Sequence, residues 1–276
     1  MKCLHITAKK AAIVLDLLRE NLPKGQKAED LLAAGAVWLG KERPGPGQSV
    51  KPGETLRVYL RSGQHEAYRI DSGDVVFQDS DLLVVYKPPG LPVQGDPASQ
   101  RHHLSHGVWV WLGSPASWRP APITRLDQPV SGLVLFGATP GGEKALFALM
   151  RAGRIFKWYG ARLQGTFNER CRMVNLPLSH QGRTIKVDET GKPACTLFIA
   201  GEKGQGVQSF SAFPLTGRRH QIRVHSAQAL GPVIGDTLYG GPRGNEDGIS
   251  LCCLGLNLTL DGKRYRIRLP KGFISG

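Results

Sequence analysis

Turn-forming residues are spread so densely along this chain that long helices have little room to form. Among 276 residues there are 35 glycines and 19 prolines, and the apolar runs between them are short. That pattern disfavours a helical bundle and favours short strands joined by turns. Hydrophobic residues make up 41% of the chain, enough for a packed core and too many for a disordered protein. The length suits one large domain, or a large domain with a small one.

Periodicity divides the chain. Residues 11–22 (AAIVLDLLRENL) read as an amphipathic helix with Ile13, Leu17 and Leu18 on one face. Residues 28–35 (AEDLLAAG) read as a second helix capped by Gly35. Strand candidates follow at 36–40 and 54–60, separated by a PGPG turn at 44–47. The polar stretch 61–73 resembles a linker. From Val75 onward strands dominate, at 81–87, 132–139, 157–165, 194–200 and 218–226. Residues 142–152 give the best internal helix, with Leu146, Phe147, Leu149 and Met150 on its apolar face. Residues 240–248 (GGPRGNEDG) read as an exposed loop. Many strands, few helices and short connections predict an α+β fold, a mixed and mainly antiparallel β-sheet with flanking helices.

The net charge of +14 is unevenly distributed. Residues 151–225 carry 13 basic and 4 acidic groups, and residues 1–63 carry 11 and 6. Arginine dominates the central block, and its planar fork suits phosphate oxygens and base edges. Regional basic excess is the footprint of a polyanion binder. A merely basic, well-solvated surface is the competing reading of the charge alone. Five cysteines without a C-x-x-C pair argue against a disulfide scaffold or a zinc site and for reduced, mostly buried thiols in the cytoplasm. The N-terminal segment lacks the unbroken apolar core of a signal peptide, and no run is long enough to span a membrane.

The chemistry is carried by ordered blocks. Lys87-Pro88-Pro89-Gly90-Leu91 follows an apolar strand, and Thr124-Arg125-Leu126-Asp127-Gln128-Pro129-Val130-Ser131-Gly132 comes next. Lys157-Trp158-Tyr159-Gly160-Ala161 and Gly191-Lys192-Pro193-Ala194-Cys195-Thr196 follow. The last two blocks are Thr216-Gly217-Arg218-Arg219-His220-Gln221-Ile222-Arg223-Val224-His225 and Gly231-Pro232-Val233-Ile234-Gly235-Asp236 with Tyr239-Gly240. Taken alone, Arg125 and Asp127 would be an ordinary surface ion pair beside a turn. Six blocks in this order resemble the RluA-type pseudouridine synthase family over about residues 75–260, two-thirds of the chain. The first sixty residues resemble the alpha-L RNA-binding module of a ribosomal protein. Gly35-Ala36-Val37-Trp38-Leu39-Gly40 and the segment from Val50 to Val58 stand where that module has its glycine-turn pattern.

The resemblance implies a domain plan: residues 1–62 an RNA-binding module, 63–74 a linker, 75–276 a catalytic domain. It implies that Asp127 is the catalytic carboxylate, that Arg125 helps displace the target base, that Tyr159 packs under the flipped uracil, and that Arg223 pairs with Asp127. Lys87, Arg218, His220 and Gln221 are assigned to substrate contact. Isomerising uridine to pseudouridine adds and removes no atoms, so no redox cofactor is expected. A carboxylate that attacks the substrate or stabilises the departing base suffices, kept ionised by a guanidinium neighbour. A phenol supplies a stacking face and a weak acid–base group. Base extrusion costs a few kcal/mol, which an inserted arginine offsets.

His220 and His225 fall on opposite faces of a strand, so no metal site is expected from them. No glycine-rich phosphate loop, no G-x-S-x-G elbow and no second catalytic carboxylate beside Asp127 is evident. Thr124, Val130 and Cys252 depart from the family pattern, where His, Thr and His are usual. The expected partner is RNA, ribosomal RNA first and transfer RNA as the alternative, with no membrane partner and a monomeric chain. The competing function is a catalytically inactive RNA-binding or RNA-folding protein on the same scaffold.

Overall fold

The computed structural model describes residues 2–60, 66–182, 184–244 and 248–270. The chain folds into two compact units. One comprises Met1–Ile70 with Pro92–Arg119, the other Asp71–Leu91 with Pro120–Gly276.

The smaller unit starts with β1 (Lys2–Thr7) and a two-residue strand β2 (Ala12–Ile13), then α1 (Val14–Asn21) and α2 (Ala28–Ala34). The strands β3 (Val37–Leu39), β4 (Ser49–Val50) and β5 (Thr55–Leu60) follow. The two helices fall where the periodicity placed them, but Ile13 belongs to β2 and is exposed. The buried stripe of α1 is Val14, Leu17 and Leu18. α2 buries Ala28, Leu31 and Ala34. It ends at Gly35, whose φ of 75° is the left-handed conformation that glycine adopts without steric cost. β5 lies between β1 and β3 in an antiparallel sheet. Leu4 and Ile6 face Val58 and Leu56 in register, and the sheet and helices share one apolar core.

The segment 92–119 joins this unit, although the sequence assigned it to the catalytic domain. It carries α3 (Leu104–Trp111). Trp38 Nε1 donates to Pro97 O at 3.0 Å, Arg43 to Asp96 O at 3.0 Å, and Gln100 N to Ala34 O at 2.8 Å. Gly107 of α3 lies so close to Tyr68 and Ile70 that a Cβ would stand 2.9 Å from each. Part of the expected linker, residues 61–65, lies outside the described residues. The rest includes a one-turn helix at Ser72–Asp74 closed by an Asp71 capping box.

The larger unit is built on one mixed sheet. Its elements are β6 (Val75–Gln78), β7 (Leu82–Lys87), β8 (Ser131–Gly137), α4 (Pro140–Arg151), β9 (Phe156–Gln164) and β10 (Cys171–Asn175). A β11 (Leu178–Gln181) and β12 (Thr184–Val187) hairpin precedes β13 (Cys195–Gly204), β14 (Val207–Pro214), α5 (Gln221–Ala229), β15 (Leu251–Leu260) and β16 (Lys263–Arg268). The order is β10-β13-β14-β9-β15-β8-β7-β6, with β16 also paired to β15. Every pairing is antiparallel except β8 with β15.

β7 and β8 are nearly continuous apolar runs because both faces are covered. Leu82 to Val85 and Leu133 to Phe136 are fully buried. α4 begins at Thr139, whose hydroxyl accepts from Gly142 N, with Pro140 in its first turn. At the parallel β8–β15 pairing, Gly132 has φ 113°, and a Cβ there would stand 2.4 Å from Cys253 N. Only glycine permits that approach, which fixes the start of β8 beside the loop that precedes it.

One element departs from the sequence reading. Residues 218–226 were expected as a strand, but Gln221–Ala229 form a helix. From Gln221 to Ser226 every residue is buried, so the helix has no polar face and shows no 3.6-residue hydrophobic period. Among the described residues no helix is long and apolar enough to cross a membrane. All five thiols are free, yet only Cys253 is buried, while Cys3 and Cys171 are exposed.

Candidate active site

Residues 124–130 form the loop that enters β8, and its backbone is fastened from several sides. Ile123 N donates to Leu135 O at 2.8 Å. Thr124 is buried, and its hydroxyl accepts from Leu135 N at 2.9 Å. Gly90 and Gln128 exchange two bonds of 2.9 Å, one from Gly90 N and one from the Gln128 amide. Ile249 N reaches Pro129 O, and Val130 N closes the turn on Asp127 O at 3.0 Å. Asp127 sits at the centre of this clamp.

Lys87 completes the clamp from beneath. It is fully buried, and its ammonium donates to Pro88 O, Leu91 O and Gln128 O at 2.8, 2.8 and 3.0 Å. Burial brings its pKa down to about 7, opposed by Asp127 and Cys252. Its protons are committed to main-chain carbonyls, which corrects the expectation that Lys87 contacts substrate. It holds the Asp127 loop in place.

The opposing wall comes from α5. Gln221 fastens the start of this helix. Its carbonyl accepts from Thr216 Oγ1 and Arg218 N, and its amide donates to Cys195 O and Thr196 Oγ1, all at 2.7–3.0 Å. Gln221 is therefore held by four hydrogen bonds inside the protein, and it also lines the cavity in front of Asp127. His220 caps the helix in the left-handed conformation, with φ 54°. Arg218 lines the cavity and donates to Pro193 O at 2.9 Å. His225 is buried inward, bonded to Thr196 Oγ1 and Leu176 O.

Arg223 joins the two walls. Two of its nitrogens bind the Asp236 carboxylate side-on, both at 2.7 Å, and the third donates to Asp127 Oδ2 at 3.1 Å. The side chains of Arg223 and Asp236 are 5% and 1% exposed, against 22% for Asp127. Asp236 thus neutralises and orients the guanidinium, and Asp127 receives its remaining arm at the cavity wall. Burial disfavours the Arg223 charge, but Asp236 and then Asp127 more than offset it and raise its pKa. The guanidinium lies 5.0 Å from the centroid of the Tyr239 ring. The Tyr239 hydroxyl accepts from Ile185 N and meets His220 Nδ1 at 2.7 Å. His220 Nε2 stands 3.8 Å from Asp127 Oδ2, and burial lowers the His220 pKa against the pull of Asp127.

A cavity of about 630 Å³ opens in front of Asp127. Arg125, Leu126, Lys157, Tyr159 and Met150 line it with Asp127, His220 and Arg223. Tyr159 and Lys157 stand two residues apart on β9 and so share a face. Burial, then Cys253 and Asp127, push the Tyr159 phenol well above its ordinary pKa, so it is neutral. Arg125 is exposed and makes no ion pair among the described residues. Asp127 Oδ1 likewise accepts no hydrogen bond among them. The cavity therefore presents a carboxylate with one oxygen engaged and one open, a neutral phenol, and a free guanidinium at the rim.

Comparison with known proteins gives the family of the chain. The family model for RNA pseudouridylate synthase matches residues 81–228. A ribosomal large subunit pseudouridine synthase C of Pasteurella multocida is 30% identical over 259 residues, covering 87% of this chain and 77% of the relative. The chain belongs to the RNA pseudouridylate synthase family. The Escherichia coli protein of the same name is 28% identical over 260 residues, covering 87% and 80%. The human RNA pseudouridylate synthase domain containing 1 shares the fold, with a TM-score of 0.61 at 23% identity over 75% of this chain and 88% of its own.

The synthase brings Arg125, Asp127, Tyr159, Arg218, His220, Gln221 and Arg223 to one cavity, while Lys87 stands behind it in a supporting position. Sequence reasoning passed over Asp236 and Tyr239 as members of this site, although both stand in the sixth block. It also passed over Lys157, the first residue of the third. Lys157 lines the cavity, and burial lowers its pKa.

Proposed function

We propose that this synthase isomerises specific uridines of ribosomal RNA, with Asp127 as the catalytic carboxylate. The observation that carries the reading is the three-armed Arg223. Asp236 saturates two arms and aims the third at Asp127 Oδ2, which leaves Oδ1 for the substrate. In the reaction the N1–C1′ bond breaks and a C5–C1′ bond forms. A proton leaves C5 and N1 gains one. A fixed anion serves either as nucleophile or as the counter-charge for a departing base. Tyr159, neutral and buried, offers its ring to the uracil. Arg125 fills the place the base leaves, and Arg218 and Arg219 meet the flanking phosphates.

The two relatives described above are named for the large ribosomal subunit, and this favours ribosomal over transfer RNA. Residues 1–62 act as an RNA-binding module, and the chain works as a cytoplasmic monomer without cofactor. A purely RNA-binding role is disfavoured because it needs no carboxylate held against a polyanion. The test is chemical mapping of pseudouridines in total RNA from cells with and without the gene. Loss of one or a few signals in large-subunit RNA, restored by the intact gene, is expected. Signals lost only from transfer RNA would overturn the choice of target, and an unchanged map would overturn the activity.

A further inference from the structure

Asp127, Arg219, His220 and Arg223 form a wall shared by two cavities. The first holds Tyr159 and Lys157. The second, about 530 Å³, is lined beyond the wall by Pro129, Leu238 and Ile249, and nothing in the proposed reaction uses it. Leu238 is its unusual member. It is 47% exposed, yet it is held on a rigid turn, the one-turn helix Thr237–Tyr239. Asp236, two residues before it, is fixed side-on by Arg223, and Tyr239, just after it, is fixed to His220 and Ile185 N. Tyr239 N and Gly241 N both donate to Asp236 O. The buried ion pair thus orients Asp127 and also anchors the turn that presents a bare leucine to the second cavity.

We infer that the second cavity is a subsite for the base next to the target uridine, with Leu238 as the apolar surface against which that base packs. The inference rests on the reading that a uracil enters the first cavity. Two facts choose the occupant. Covalent continuity places the neighbouring nucleotide within one residue's reach of the flipped one, and the shared wall is where the second cavity begins. The lining also matches a nucleotide, with apolar Leu238, Pro129 and Ile249 for a base and Arg219, common to both cavities, for the phosphate between. An extruded base leaves its neighbour without a stacking partner, and leucine is among the side chains that proteins insert at such unstacked steps.

The test uses the full chain and an RNA stem-loop carrying a mapped target uridine. Two further RNAs carry an abasic sugar at the 5′ or the 3′ neighbour. Steady-state kinetics compare the intact protein with Leu238→Ser, whose exposed position leaves the thermal midpoint unchanged. On intact RNA the substitution is expected to raise KM about 5- to 10-fold, with kcat within about twofold, the range expected for losing one base-packing contact. One of the two abasic RNAs should raise KM of the intact protein by a similar factor and leave the variant unaffected. Independent, multiplying effects, or an unchanged KM for Leu238→Ser, would overturn the subsite while leaving the parent reading intact. Failure of the intact protein to turn over any of these RNAs would overturn both.

Discussion

Replacing Asp236 by alanine should damage the fold far more than neutralising Asp127, although both bind the same arginine. Asp236 is 1% exposed and Arg223 5%, and two bonds of 2.7 Å join them. Removing the carboxylate leaves a buried guanidinium with one partner at 3.1 Å. Breaking a buried pair from one side costs about 3–5 kcal/mol, because the remaining charge is stranded in a low-dielectric site. For a chain of this size that loss corresponds to a fall of roughly 6–20 °C in thermal midpoint. Asp127→Asn instead gives up one bond at a carboxylate that is 22% exposed, and Arg223 keeps Asp236. That change should stay within about 1 kcal/mol. Thermal unfolding of both purified variants, followed by circular dichroism, measures the difference. Asp236→Ala should also lose turnover, since Asp127 loses its orienting partner. A midpoint for Asp236→Ala within about two degrees of the unmodified protein would refute the claim that this pair organises the site.

Lys87→Met should strand three main-chain carbonyls, destabilising the protein by about 3 kcal/mol or more in urea unfolding. It should lower kcat more than it raises KM, because the loop of Asp127 loosens. Arg125→Ala should leave stability unchanged and reduce kcat/KM about 10- to 100-fold on a structured RNA, with a smaller loss on an unpaired target whose base needs no extrusion. Acidification should destabilise the fold. Burial lowers the pKa of His103, His106, His220 and His225 below the usual 6.5, so below that pH the unfolded chain takes up protons that the folded chain resists. The histidines' share of stability is full above about pH 6.5 and falls as pH drops through their folded values, and urea midpoints between about pH 8 and 5 follow it. A flat profile would contradict the lowered pKa of these rings.

The sequence showed the site better than the fold around it. Arg125, Asp127, Tyr159 and Arg223 could be named because each lies in a local block, and the protein gathers them at one cavity. Asp236 was legible as a motif letter but not as a partner, since a charge pair formed across thirteen residues and a loop leaves no local trace. Lys87 was misread for the same reason. A lysine beside two prolines signals nothing of the three carbonyls that accept its protons. α5 was mistaken for a strand because Ile222 and Val224 alternate with polar residues, and those residues are buried and satisfied instead of solvated. β1 and β16 carried a usable signal, Leu4 with Ile6 and Tyr265 with Ile267, each alternating with exposed neighbours. The place of residues 92–119 in the smaller unit depends on long-range bonds such as Trp38 to Pro97 O, which no local pattern encodes.

The most direct trial is Asp127→Asn, a replacement that keeps the shape of the side chain and removes its charge. Isomerisation of the mapped uridine should disappear while RNA is still bound with the affinity and steep salt dependence of the unmodified protein. Turnover at the normal rate by that variant would mean that the chemistry resides elsewhere.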